Sequence, residues 1–74
     1  MGSKQVQRDV GEPLMLTYTE AAVKIGVSVS RVRRLLAAGE IHNVEVGPRE
    51  RRIPLSQCVA YVNRLITEQI GEAS

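Results

Sequence analysis

The chain has 74 residues, a hydrophobic share of 43%, a net charge of +2 and a single cysteine. A domain of this size buries only about 60% of the surface that its unfolded chain exposes, so its stability is marginal. One cysteine excludes an internal disulfide, and Cys58 and His42 cannot supply the four ligands of a structural zinc site. We therefore expect no metal and no cofactor, and a small core that is supported by a binding partner.

The sequence predicts neither a membrane protein nor a secreted one. No apolar run approaches the ~20 residues of a membrane span, and residues 1–10 lack the hydrophobic segment of a signal peptide. A single unpaired thiol also fits a reducing compartment. We expect a cytoplasmic protein without membrane contact.

Basic side chains are concentrated in the middle of the chain. Residues 28–52 contain three glutamates and six arginines, so this stretch carries +3 and the remaining residues carry −1. The planar guanidinium of arginine suits phosphates and the edges of guanine. The pattern favours nucleic acid as the partner, and a merely solvated charged face is the alternative.

In chain order, polar residues 1–13 predict a flexible arm that precedes a folded domain over residues 14–70, and residues 71–74 are expected to fray. Thr17 and Glu20 have the spacing of a capping box. A first helix is therefore expected over Tyr18–Ile25, and Gly26 should end it.

Ser28 is the predicted N-cap of a second helix that runs to about Ala38. On a helical wheel, Val32, Leu35 and Leu36 lie on one side, and the polar side chains lie opposite or flank them. Two helices joined by so short a turn outline a helix-turn-helix, whose second helix presents its N-terminus to the major groove. An ordinary pair of antiparallel helices is the alternative.

The period of the sequence then changes from helical to alternating. Residues 41–46 predict a strand with Val44 and Val46 on one face, residues 47–50 a turn, and residues 51–53 a return strand. This two-stranded hairpin carries arginines at its tip and on its return strand. Pro54 suits the first turn of a third helix, expected to reach about Gln69. One side of that helix is a broad apolar stripe, formed by Leu55, Cys58, Val59, Tyr61, Val62, Leu65, Ile66 and Ile70.

Signals for enzyme chemistry are weak. His42 is the only histidine and has no cysteine or serine placed to act with it. Glu40, Glu45 and Glu50 recur every five residues, which does not form a carboxylate pair on a helix or a strand. No glycine-rich phosphate loop is present. We expect no catalytic residue, and Cys58 is interpreted as a core thiol.

Several short motifs occur in an order that resembles the excisionase-type winged helix-turn-helix family, which is related to the DNA-binding domain of MerR-like regulators. They are Leu16-Thr17-Tyr18-Thr19-Glu20-Ala21-Ala22, Gly26-Val27-Ser28, Val32, Leu35-Leu36, Gly39-Glu40-Ile41, Val44, Val46-Gly47, Arg52-Ile53-Pro54, Ser56 and Ala60-Tyr61. The resemblance covers residues 14–66. It implies a mainly α fold with a small β-hairpin: three helices and a two-stranded wing.

The resemblance also implies roles for individual side chains. Ser30, Arg31 and Arg34 correspond to recognition-helix positions that enter the major groove, and Ser28 and Arg33 to positions that contact the DNA backbone. Arg49 and Arg51 correspond to wing positions. The wing of this family lies along the DNA backbone or in the neighbouring minor groove. Arg52 is expected either among these wing residues or with its stem packed on the third helix.

By this resemblance, the chain is expected to act as a recombination directionality factor in a bacterial or phage-infected host cell. Such proteins bind and bend phage attachment-site double-stranded DNA and direct integrase towards excision. The alternatives are a small MerR-like transcription regulator and a protein–protein interaction module. The breadth of the third-helix stripe further predicts self-association on DNA.

Overall fold

The computed structural model describes residues 13–71. Over this range the elements are β1 (Met15–Leu16), α1 (Tyr18–Ile25), α2 (Val29–Ala37), β2 (Val44–Gly47), β3 (Glu50–Pro54) and α3 (Leu55–Ile70). The strands form an antiparallel sheet in the order β1-β3-β2. The expected winged helix-turn-helix architecture, mainly helical with a small β-hairpin, is confirmed.

The predictions of a flexible arm and a frayed C-terminus fall almost wholly on residues 1–12 and 72–74, which lie outside the described part. Within residues 13–71, no helix combines the length and the hydropathy that crossing a bilayer requires.

The first helix, α1, has the predicted bounds because its ends are determined by local hydrogen bonds. The Thr17 hydroxyl oxygen accepts from the Glu20 amide at 3.0 Å, and the Glu20 carboxylate accepts from the Thr17 amide at 2.9 Å. Gly26 has φ 91°, and its amide donates to the Ala22 carbonyl at 2.8 Å. Both the capping box and the glycine stop are therefore confirmed.

The second helix, α2, begins as expected after Ser28, whose hydroxyl oxygen accepts from the Arg31 amide at 3.1 Å. It ends at Ala37, and Ala38 is the C-cap. Its apolar side buries Val32 and Leu35 against the core. The predicted amphipathic packing is therefore confirmed, and it fixes which side of α2 remains open to solvent.

The hairpin differs from the prediction at its start. Its first strand begins at Val44, because Ile41 is fully buried in the core and residues 41–43 form a loop instead of extending the strand. A bulge interrupts the pairing between Glu45 and Gly47, and Val44 and Val46 are both exposed.

The strand β1 was not predicted. Met15 pairs with Pro54 and Leu16 pairs with Ile53. The Leu55 amide then donates to the Leu14 carbonyl at 2.7 Å, which extends the connection by one bond. The segment just before α1 is therefore attached to the strand that leads into α3.

The third helix, α3, is as long as expected, with Pro54 as its N-cap residue and not in its first turn. It packs against α1 and β3. The core consists of Leu16, Ala21, Ala22, Val32, Leu35, Ile41, Ile53, Cys58 and Tyr61. The prediction of a core thiol is confirmed: burial raises the pKa of Cys58 above its usual value, and the nearby charge of Lys24 offsets part of this increase.

Candidate nucleic-acid interface

The solvent side of α2 carries most of the side chains that the sequence assigned to DNA. Since Val32 and Leu35 face the core, the helical period leaves the remaining positions outside. The exposed polar side chains on this helix and at its N-cap are Ser28, Ser30, Arg31, Arg33 and Arg34. The helix contains three arginines and no acidic residue, so its outer surface is strongly basic.

The arginines differ in how they are paired. Among residues 13–71, no carboxylate forms an ion pair with Arg31, Arg33 or Arg34, and the same holds for Arg49 at the wing tip. In contrast, Arg51 lies 3.8 Å from the Glu45 carboxylate. The charges of α2 are therefore available to an external anion.

The remaining wing arginine, Arg52, is half-buried. Its guanidinium donates to the Arg51 carbonyl at 3.0 Å, so the side chain turns back towards the backbone of its own strand.

The tip of the wing has an unusual backbone. Pro48 and Arg49 form the turn between β2 and β3, and Arg49 has φ 61°, in the left-handed region. Proline followed by a residue of positive φ is the arrangement of a type II turn, which normally places glycine second. The Arg49 side chain is thus held at the tip of the wing by a conformation that arginine adopts at a cost.

A contact between distant segments connects α2 to the base of the wing. The guanidinium of Arg33 lies over the Tyr18 ring, 5.3 Å from its centroid. The Asn43 amide nitrogen donates to the Tyr18 hydroxyl at 2.6 Å. Asn43 directly precedes β2, so the Arg33 flank of α2 and the start of the wing lie on the same side of the molecule.

Sequence reasoning missed Tyr18 and Asn43, which are 25 residues apart and share no motif spacing. It also missed Arg64, whose guanidinium binds the Glu40 carboxylate at 2.9 Å and the Glu40 carbonyl at 3.0 Å. The Gln57 side chain also accepts a hydrogen bond from the His42 amide at 2.9 Å. Together these contacts hold the loop after α2 against α3. No local pattern signals either contact.

No family model matches the chain. The chain is similar to a curated protein named a probable excisionase. That protein is from Saccharopolyspora erythraea and is 41% identical over 56 residues, which make up 76% of the present chain. The matched region covers 56% of the relative, so this chain spans about half of its relative's length.

Proposed function

We propose that this protein is a DNA-binding accessory factor of the excisionase type and not an enzyme. It binds phage attachment-site DNA, bends it, and helps integrase to excise. The observation that carries the proposal is the surface of α2, where three exposed arginines have no carboxylate partner within residues 13–71. The name of the S. erythraea relative, a probable excisionase, supports excision as the process.

In the proposed complex, α2 enters the major groove and the wing follows the adjacent backbone or minor groove. Arg31 and Arg34 are suited to bidentate bonds with guanine edges, and Ser30 to either donor or acceptor edges. Ser28 and Arg33 bind phosphate near the start and the flank of the helix.

The wing contributes Arg49 and Arg51, and Arg52 beside them. The ion pair of Arg51 with Glu45 does not oppose this role. Both partners are at least half exposed, and exposed pairs of this kind contribute at most about 1 kcal/mol. A DNA phosphate can therefore replace Glu45 as the partner of Arg51.

Bending is the architectural part of the proposal. Smooth bending of a short DNA site costs about 1–6 kcal/mol, which the phosphate contacts of α2 and the wing offset.

We further propose that copies on adjacent sites associate through the exposed apolar side chains of α3, among them Ile66 and Ile70. Such association would add successive bends into one curved assembly.

The test of DNA binding is a fluorescence-anisotropy titration at several salt concentrations. Six arginines lie at the proposed interface, and neutralisation of about five phosphates by this cluster predicts a slope near −4 to −5 in a plot of log affinity against log salt. A slope near zero, or no duplex binding at about 50 mM salt, would contradict the proposal.

The assignment of α2 is tested separately. Arg34→Ala should cost about 1–3 kcal/mol on a site selected for tight binding from a random-sequence pool and much less on random DNA, because a base contact is lost. Arg49→Ala should weaken binding to both DNAs more evenly. Equal losses on both DNAs for Arg34→Ala would show that α2 does not read bases.

Excision itself is tested by adding the protein to integrase and attachment-site DNA and measuring the excised product.

A further inference from the structure

The described residues include two arginine–tyrosine pairs with similar ring contacts, but the two guanidinium groups differ in their other partners. Arg33 lies 5.3 Å from the centroid of the Tyr18 ring, and Arg64 lies 5.5 Å from that of Tyr61. The guanidinium of Arg64 is occupied by the Glu40 carboxylate and carbonyl. Arg33 has no hydrogen bond or ion pair to any residue of the range 13–71, so its donors face solvent.

The Tyr18 hydroxyl is also left with an unused donor. It accepts the 2.6 Å hydrogen bond from the Asn43 amide, and a hydroxyl that accepts such a bond still has its own O–H to donate. Within residues 13–71 the Tyr18 hydroxyl donates no hydrogen bond. The bond from Asn43 restricts where the hydroxyl can point, and the ring restricts where the guanidinium of Arg33 can lie.

We propose that Tyr18, Arg33 and Asn43 form a binding site for one phosphate of the DNA backbone, at the junction of α1, α2 and the wing. The inference rests on the proposed function, since it names a ligand group of the same DNA. Arg33 supplies charged N–H donors, Tyr18 supplies a neutral O–H donor, and Asn43 orients the Tyr18 hydroxyl. A phosphate diester offers the acceptor oxygens that this set lacks.

A phosphate at this position would define the docking angle of the protein. Asn43 belongs to the loop that leads into β2, and Tyr18 begins α1, which packs on α2. One phosphate held by these groups would connect the recognition helix, its supporting helix and the wing to a single point on the backbone. Contacts of this kind fix register and orientation without reading sequence.

The experiment uses a duplex selected for tight binding from a random-sequence pool, and versions of it with one methylphosphonate linkage at each backbone position in turn. These linkages lack the phosphate charge. The wild-type protein and three variants are titrated: Tyr18→Phe, Arg33→Gln, and Arg64→Gln as the matched control. Each variant is first checked for folding by circular dichroism.

We expect Tyr18→Phe to weaken binding to the unmodified duplex about tenfold, as for a lost hydrogen bond to a charged group. The salt slope should stay unchanged, because no charge is removed. One backbone linkage should stand out. Replacing its phosphate by the uncharged methylphosphonate should weaken binding by the wild type, but should weaken binding by Tyr18→Phe and by Arg33→Gln much less. Arg33→Gln should also lower the salt slope by about one, whereas Arg64→Gln should alter neither the slope nor the response at that linkage.

The inference would be overturned if Tyr18→Phe lost affinity but remained as sensitive as the wild type to neutralisation of every linkage. That result would mean that the Tyr18–Asn43 bond only supports the fold. Unchanged binding by Tyr18→Phe and Arg33→Gln would overturn the inference as well, and would leave the proposed function intact. Failure of the wild type to bind any duplex would overturn both. Because Arg33 is exposed, its variant still tests the site if Tyr18→Phe does not fold.

Discussion

At the scale of single residues, the wing tip shows a conflict between backbone preference and side-chain position. Arg49 has φ 61°, where a side chain other than glycine costs about 1–2 kcal/mol. Such conformations persist where the surroundings impose them, and they cluster at ligand-binding positions. An arginine at this position is explained if its side chain is needed at the tip of the wing.

The first prediction compares two substitutions of Arg49. Arg49→Ala removes the guanidinium but keeps the strained conformation, whereas Arg49→Gly removes both. We expect the glycine variant to be more stable than the alanine variant by about 1–2 kcal/mol in urea denaturation, because alanine is the strained residue where φ is positive. Both variants should lose DNA affinity to a similar extent. Equal stability of the two would show that the turn relaxes without cost.

The sequence revealed side chains whose positions depend on their own helix, and missed those that depend on a distant partner. The exposure of Arg31, Arg33 and Arg34 follows from the period of α2 alone. The contact of Tyr18 with Asn43 requires the whole domain to fold before the two residues meet. Their separation of 25 residues leaves no periodic or capping signal, so this part of the candidate site could be found only in the structure.

At the scale of elements, the same division applies. The bounds of α1 were predictable because its capping box and its glycine stop are hydrogen bonds within a few residues. The strand β1 was not, since two residues cannot show an alternating pattern, and their pairing partner lies at the far end of the hairpin. Ile41 similarly looked like a strand residue, but its burial in the core places it in the preceding loop.

The second prediction tests whether β1 is an integral part of the fold. Leu16 is 1% exposed and Leu14, two residues earlier, is 76% exposed. Leu16→Ala should reduce the free energy of unfolding by about 2–5 kcal/mol, since it removes buried methyl groups and leaves a cavity. Leu14→Ala serves as the matched control and should change that free energy by less than about 0.5 kcal/mol. Similar small losses in urea denaturation for both variants would mean that β1 contributes little to stability.

At the scale of the whole molecule, the domain has more apolar surface than its core uses. Only Cys58 and Tyr61 of the α3 stripe are buried, and Val59, Ile66 and Ile70 remain exposed. A groove between the end of α1 and the C-terminal half of α3 includes Ile25, Val27, Leu65, Ile66 and Ile70. Contiguous exposed apolar surface of this kind usually marks an interaction site.

Association between DNA-bound copies would use this surface and would also compensate for the small number of base contacts that we propose for one domain. A single module discriminates weakly among DNA sites. Adjacent sites place copies at high effective concentration, so even a weak contact between them raises occupancy. The apolar groove and the small recognition surface therefore lead to the same expectation, cooperative binding.

The third prediction is that binding to repeated sites is cooperative and depends on the C-terminal half of α3. Ile66 is 45% exposed and Ile70 is 76% exposed, so Ile66→Glu with Ile70→Glu should leave the fold intact while placing charge on the contact surface. In gel-shift titrations on DNA with one, two and three sites, this variant should lose the cooperativity of the wild type on two and three sites. Cooperativity is measured relative to each protein's own affinity for a single site, because Arg31 lines the same groove. Asn63→Glu with Thr67→Glu adds the same charge to exposed polar positions of the same helix outside that groove and should retain cooperativity. Independent occupancy of the sites by the wild type, or full cooperativity of the Ile66 and Ile70 variant, would show that copies do not associate through α3.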